Sequence, residues 1–114
     1  MGPLMYGEIV GASGLEELAS LVGGVVRESC HYDNWRILRV DLTLASASFE
    51  TAGTSVLVRG DGDALRPLMD LAEVVSANLA LGKLRHRLEL YEEDRLVGYY
   101  HFQWPQNART EGAA

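Results

Sequence analysis

Hydrophobic and polar residues alternate most regularly between residues 84 and 104, "LRHRLELYEEDRLVGYYHFQW". Leu84, His86, Leu88 and Leu90 fall on one side of an extended chain, and Arg85, Arg87, Glu89 and Tyr91 on the other. That period of two belongs to a strand with one buried face. Glu93-Asp94 interrupts it and predicts a β-hairpin. Loop length decides which side chains then meet. With a two-residue loop, Glu93-Asp94, paired residue numbers sum to 187 and His86 faces His101. With a three-residue loop ending at Arg95 they sum to 188. Leu84 then faces Trp104, His86 faces Phe102, Leu88 faces Tyr100, Leu90 faces Gly98 and Tyr91 faces Val97. A one-residue slip exchanges the two faces of a strand, and only the second register collects the large apolar residues on one side. It predicts Tyr100, Phe102 and Trp104 as core, with His86 among them. Arg85, Arg87, Glu89, Tyr91, Tyr99, His101 and Gln103 are left on an open face.

The remaining chain supplies two helices and three strands. Residues 6–12 read as a short strand, with residues 1–4 a frayed end and Met5 a possible native start. Leu15, Leu18, Val22, Val25 and Ser29 recur at helical spacing and predict a helix over 13–30, opened by a Ser13–Glu16 capping box. Gly23-Gly24 weakens its middle, and a helix ending there with a strand from Val25 is the rival reading. Residues 35–50 predict one long strand, with Leu38, Val40, Leu42 and Leu44 buried and Arg39, Asp41 and Thr43 exposed. A turn at 51–54 and a strand at 55–60 follow. A second helix over 61–82 buries Leu65, Leu68, Ala72, Val75 and Leu79; Asp61 or Asp63 caps it, Pro67 sits near its first turn and Gly82 ends it.

The order β-α-β-β-α-β-β contains a faint internal repeat. Ser13, Leu15, Leu18, Leu21 and Val25 match Asp63, Leu65, Leu68, Leu71 and Val75 at a constant offset of 50. Two such halves predict an α+β domain over residues 1–105 with ferredoxin-like order: an antiparallel sheet, two helices on one face and an extra C-terminal strand. Residues 106–114 are polar and predict a flexible tail.

Composition narrows the function classes. The chain has 114 residues, enough for one hydrophobic core. No apolar run approaches the roughly 18 residues that span a bilayer, so neither a membrane partner nor a secretory signal is expected, and a cytoplasmic location is the default. The single cysteine, Cys30, precludes an intramolecular disulfide and any multi-cysteine zinc site. A net charge of −6 disfavours nucleic acid, since the basic residues scarcely cluster. Nine of the ten basic residues are arginine, the bias expected of a GC-rich, bacterial genome rather than of chemistry.

Three stretches bear reactive side chains. "SCHYD" (29–33) brings a thiol, an imidazole and a carboxylate together. At a helix C-terminus, however, the dipole opposes a Cys30 thiolate, and His31 is more simply a helix-end cation. "GDGD" (60–63) lacks the third glycine and the lysine of phosphate loops, and reads as a turn and cap. His86 and His101 share no third donor at ligand spacing, so no metal and no cofactor is expected. With no catalytic set complete, the sequence points to a non-enzymatic module working through protein–protein contact, with a second copy of itself as the expected partner. The candidate surface is Arg39, Asp41, Arg85, Arg87, Glu89, Tyr99, His101 and Gln103, where tyrosine and arginine suit an interface. The alternative is a small enzyme or ligand-binding protein with a pocket around His101, Arg87 and Tyr99.

Overall fold

A computed structural model of the chain describes residues 2–28 and 36–104. The fold is an antiparallel seven-stranded sheet with two helices packed on one face. In chain order the elements are β1 (Leu4–Val10), α1 (Leu15–Val22), β2 (Val25–Glu28), β3 (Arg36–Asp41) and β4 (Ala45–Ala52), then β5 (Ser55–Gly62), α2 (Leu65–Leu81), β6 (Arg85–Glu92) and β7 (Arg95–Phe102). Across the sheet the strands run β2-β3-β4-β5-β1-β6-β7. The α+β class and the helix pair follow the alternation of the sequence. The ferredoxin-like order does not hold: the sheet has seven strands where five were expected, and α1 leads into an edge hairpin.

The two additional strands have local causes. α1 stops at Val22 because Gly23 takes a left-handed conformation, φ 78°, and its N–H donates to the Ala19 carbonyl. Gly24 then passes so close to β3 that a Cβ would lie 2.5 Å from the Arg39 carbonyl oxygen. The long helix over 13–30 is thus replaced by the shorter helix and strand. The expected strand over 35–50 folds back on itself at Leu42–Leu44, where the Leu42 N–H donates to the Ala45 carbonyl at 2.8 Å. Leu42 and Leu44 are exposed at this turn instead of buried.

The caps also differ from expectation. Ser13 donates through its N–H and its hydroxyl to Glu17 at 2.7 and 3.1 Å, and Glu16 pairs instead with Arg36. β5 continues to Gly62, so Asp61 belongs to the strand and α2 begins without a side-chain cap. Pro67, third in the helix, sits where its missing N–H has no intrahelical partner to lose. Gly82 follows the last helical residue, but the left-handed position is taken by Lys83, φ 60°.

The core lies between helices and sheet. Met5 and Ile9 of β1, Phe49 of β4, Val58 of β5 and Leu88 and Leu90 of β6 meet Leu18 of α1 and Leu68, Leu71, Val75 and Leu79 of α2. Met5 is fully buried and Leu4 begins β1, so the native fold includes residues read as frayed. The hairpin turn has two residues, with φ positive at Glu93 and Asp94, as a type I′ turn requires. Glu92 accordingly faces Arg95 and Tyr91 faces Leu96, but a bulge then shifts the register. From Leu90–Gly98 to His86–Phe102 the pairs follow the sum of 188. Between these pairs the side chains divide as the apolar pattern demands, although the loop is shorter than expected; Val97, expected outward opposite Tyr91, packs against the core instead.

Introducing Gly24→Ala forces the start of β2 off β3 and is expected to cost about 2 kcal/mol in urea unfolding. Gly23→Ala, left-handed but open, is expected to cost about 1 kcal/mol.

Candidate functional site

The helices cover one face of the sheet, and no helix or strand among the described residues covers the other. Four strands bring their outward residues together there. β1 contributes Tyr6 and Glu8, facing Arg59 and Leu57 of β5 on one side and Glu89 and Arg87 of β6 on the other. Arg87 and Glu89 in turn face His101 and Tyr99 of β7. The row Arg39–Ser48–Arg59–Tyr6–Glu89–Tyr99 crosses six strands.

Arg87 is the hub. Its guanidinium reaches Glu8 Oε1 at 3.4 Å and Glu89 Oε2 at 3.2 Å, and lies over the Trp104 ring, 5.3 Å from the centroid. The Ser55 hydroxyl donates to Glu8 Oε2 at 2.8 Å, and the Tyr91 hydroxyl donates to Glu89 Oε1 at 3.0 Å. Both carboxylates are thus held from two directions, and these half-buried, charge-assisted bonds are stronger than exposed ion pairs. The hydrogen bond to Glu89 raises the Tyr91 pKa above its ordinary value, with desolvation and the Glu89 charge adding to the effect and Arg87 opposing it. Tyr91 therefore remains a protonated donor.

A hollow of about 650 Å³ opens beside this hub. Leu4 and Tyr6 form one wall, Arg87, Glu89 and Tyr91 the other, and Glu93 and Asp94 stand at the hairpin end. The Tyr6 and Tyr91 rings meet edge to face, 6.1 Å apart. A smaller hollow of about 270 Å³ lies across Tyr6, among Arg39, Ser48, Arg59 and Asp61.

The expected surface residues fall into two groups. Arg85, Arg87, Glu89, Tyr99 and His101 lie on β6 and β7, where Tyr99 and His101 stack at 4.9 Å. Arg39 and Asp41 pair with each other at 2.8 Å on β3. Four strand spacings, about 19 Å, separate them from Arg87. Gln103 leaves the strand with φ 51°, which reverses the alternation. That reversal brings Trp104, expected in the core opposite Leu84, over Arg87 instead. Cys30 and His31 lie outside the described residues. The hollow forms on the Tyr6 side of Arg87, and its lining includes neither His101 nor Tyr99. Tyr6, Glu8 and Arg59 were missed as site residues, although the alternations "LMYGEIV" and "SVLVR" mark all three as outward-facing.

His86 is accounted for by the core. It is fully buried, its Nδ1 lies 2.9 Å from the Leu84 carbonyl and its Nε2 2.7 Å from the Ser76 hydroxyl. A neutral ring donating from Nδ1 and accepting at Nε2 satisfies both contacts. Among the described residues no group of three or more His, Cys, Asp or Glu is placed to hold a metal ion. Among the same residues no helix is long and apolar enough to cross a membrane.

The chain matches no family model, no curated protein and no solved structure. Its own geometry is therefore the basis for a functional reading.

Burial lowers the His86 pKa below 6.5, opposed by the Leu84 hydrogen bond and reinforced by His101. The unfolded chain takes up this proton near 6.5, so the histidine's contribution is complete above that pH and is lost as pH falls through the folded pKa. Urea titrations between pH 8 and pH 5 should show wild-type stability falling more steeply than that of His86→Gln. The variant itself is expected to be about 2 kcal/mol less stable at pH 8.

Proposed function

We propose that the protein is a non-enzymatic binding module whose open sheet face packs against another protein chain, and that a second copy is the partner. The observation that carries this reading is the sheet face that no helix or strand among the described residues covers. Tyr6 (43% exposed), Leu57 (45%) and Tyr99 (38%) stand on it among ordered arginine–carboxylate pairs. Tyrosine and arginine are the residue types that dominate contact energetics.

Two further features favour a copy of the same chain. The charges on the face alternate in sign over short distances, as in Arg39–Asp41 and Glu8–Arg87–Glu89. A two-fold contact can then set each arginine against a carboxylate of the other copy. Seven strands span about 34 Å at about 4.8 Å each, wide enough for the roughly 800 Å² per partner that a stable complex buries.

Light scattering over a dilution series tests the reading. The wild type is expected to be dimeric, and Leu57→Arg to weaken the dimer at least tenfold while leaving the circular dichroism spectrum unchanged. A dimer insensitive to Leu57→Arg removes the face as the contact. A chain monomeric at every concentration removes the second copy as the partner.

A further inference from the structure

The hollow beside Arg87 combines two features that favour one kind of ligand. Its walls carry an apolar and aromatic strip, Leu4, Tyr6 and Tyr91, beside the paired Arg87 and Glu89, with the two phenol rings set edge to face. Its end carries Glu93 and Asp94, which form no ion pair among the described residues. Among the described residues the one cation in the lining, Arg87, is already occupied: it bonds Glu8 and Glu89, and its guanidinium lies over the Trp104 ring. Glu89, Glu93 and Asp94 against Arg87 leave the lining net negative by two charges (−3 and +1). An anion would meet this excess directly. A neutral apolar ligand would leave the two rim carboxylates unused.

From this arrangement we infer that the hollow binds an alkylammonium group, its carbon stem against Leu4 and the tyrosine rings and its charge toward Glu93 and Asp94. Ring faces attract cations through the quadrupole, and a carboxylate rim adds to that attraction. At about 650 Å³ the hollow can take a lysine side chain or a short diamine. The inference rests on the open face being a recognition surface, and does not depend on which chain covers its centre.

Amide chemical-shift titrations with n-butylammonium, cadaverine and Nα-acetyl-lysine N-methylamide, with butanoate as the isosteric anion, test it. They are run on the wild type and on Leu57→Arg, so that cation binding and self-association are read separately. Saturable shifts at Tyr6, Tyr91, Glu93 and Asp94 are expected with the cations and not with butanoate. Tighter binding of cadaverine identifies a free diamine as the ligand, and tighter binding of the lysine amide identifies a lysine side chain. Tyr6→Leu is expected to weaken binding about threefold. The double substitution E93N/D94G is expected to weaken it about fivefold at low salt while raising Tm, a combination that misfolding cannot produce. Equal shifts with butanoate, affinity unchanged in both variants, or no saturable binding would overturn the inference. The light-scattering result would still decide the reading of the face.

Discussion

β1 is hydrogen-bonded along both edges, and each of its seven residues is paired with β5 on one side and β6 on the other. These two partners are separated in sequence by α2, so both ladders depend on the crossover from β5 over β1 to β6. Because strand side chains alternate, the register that buries Met5 and Ile9 beneath the helices also turns Tyr6 and Glu8 outward. The open-face cluster is therefore not assembled by a loop. It is the reverse side of the core, and its geometry is as fixed as the core's.

The same coupling explains why neither helix covers that face. α1 has only eight residues and α2 seventeen, and both lie on the side of Met5, Phe49 and Leu88. On the other side, apolar residues such as Leu57 and Tyr6 are interrupted by charged residues that find partners within the sheet. Edge strands usually expose backbone groups that invite pairing. Here one edge is the four-residue β2, and the other, β7, is bent by a bulge and a left-handed exit at Gln103.

Much of this was legible in the sequence, for a specific reason. The division of residues 84–102 into two faces depends on burial, and burial outweighs turn geometry. The loop proved one residue shorter than expected, yet the bulge restored the apolar register, because the alternative would have turned Tyr100 out of contact with the core. Where the periodic signal itself continued through a break, the reading failed. Val25 completes a helical stripe but belongs to a strand, and Leu42 and Leu44 continue an alternation across a turn. Nothing in those apolar residues encodes the reversal; it comes from Gly23 and Gly24 in one case and from backbone hydrogen bonding at Leu42 in the other. Trp104 failed for a related reason, since a single left-handed residue, Gln103, turns it to the opposite face. Tyr6 and Glu8 needed only the alternation of β1, but pairing that strand with residues 85–92 required knowing the sheet order.

The network around Arg87 bears on how such a surface can recognise anything. A flexible arginine on a flat sheet must lose rotamer freedom when a partner arrives, and that loss offsets much of the favourable interaction with the partner. Arg87 has already lost it: two carboxylates and an indole ring hold its guanidinium, and Ser55 and Tyr91 hold the carboxylates. Ordering the wall of the hollow is thus accomplished during folding. Tyr99 and His101, stacked on each other along β7, have a neighbouring strand on one side only and suit adaptable contacts at the margin. A rigid centre beside β1 and a more yielding edge at β7 follow from the strand order, and they make β1 and β6 the part of the face where selectivity can reside.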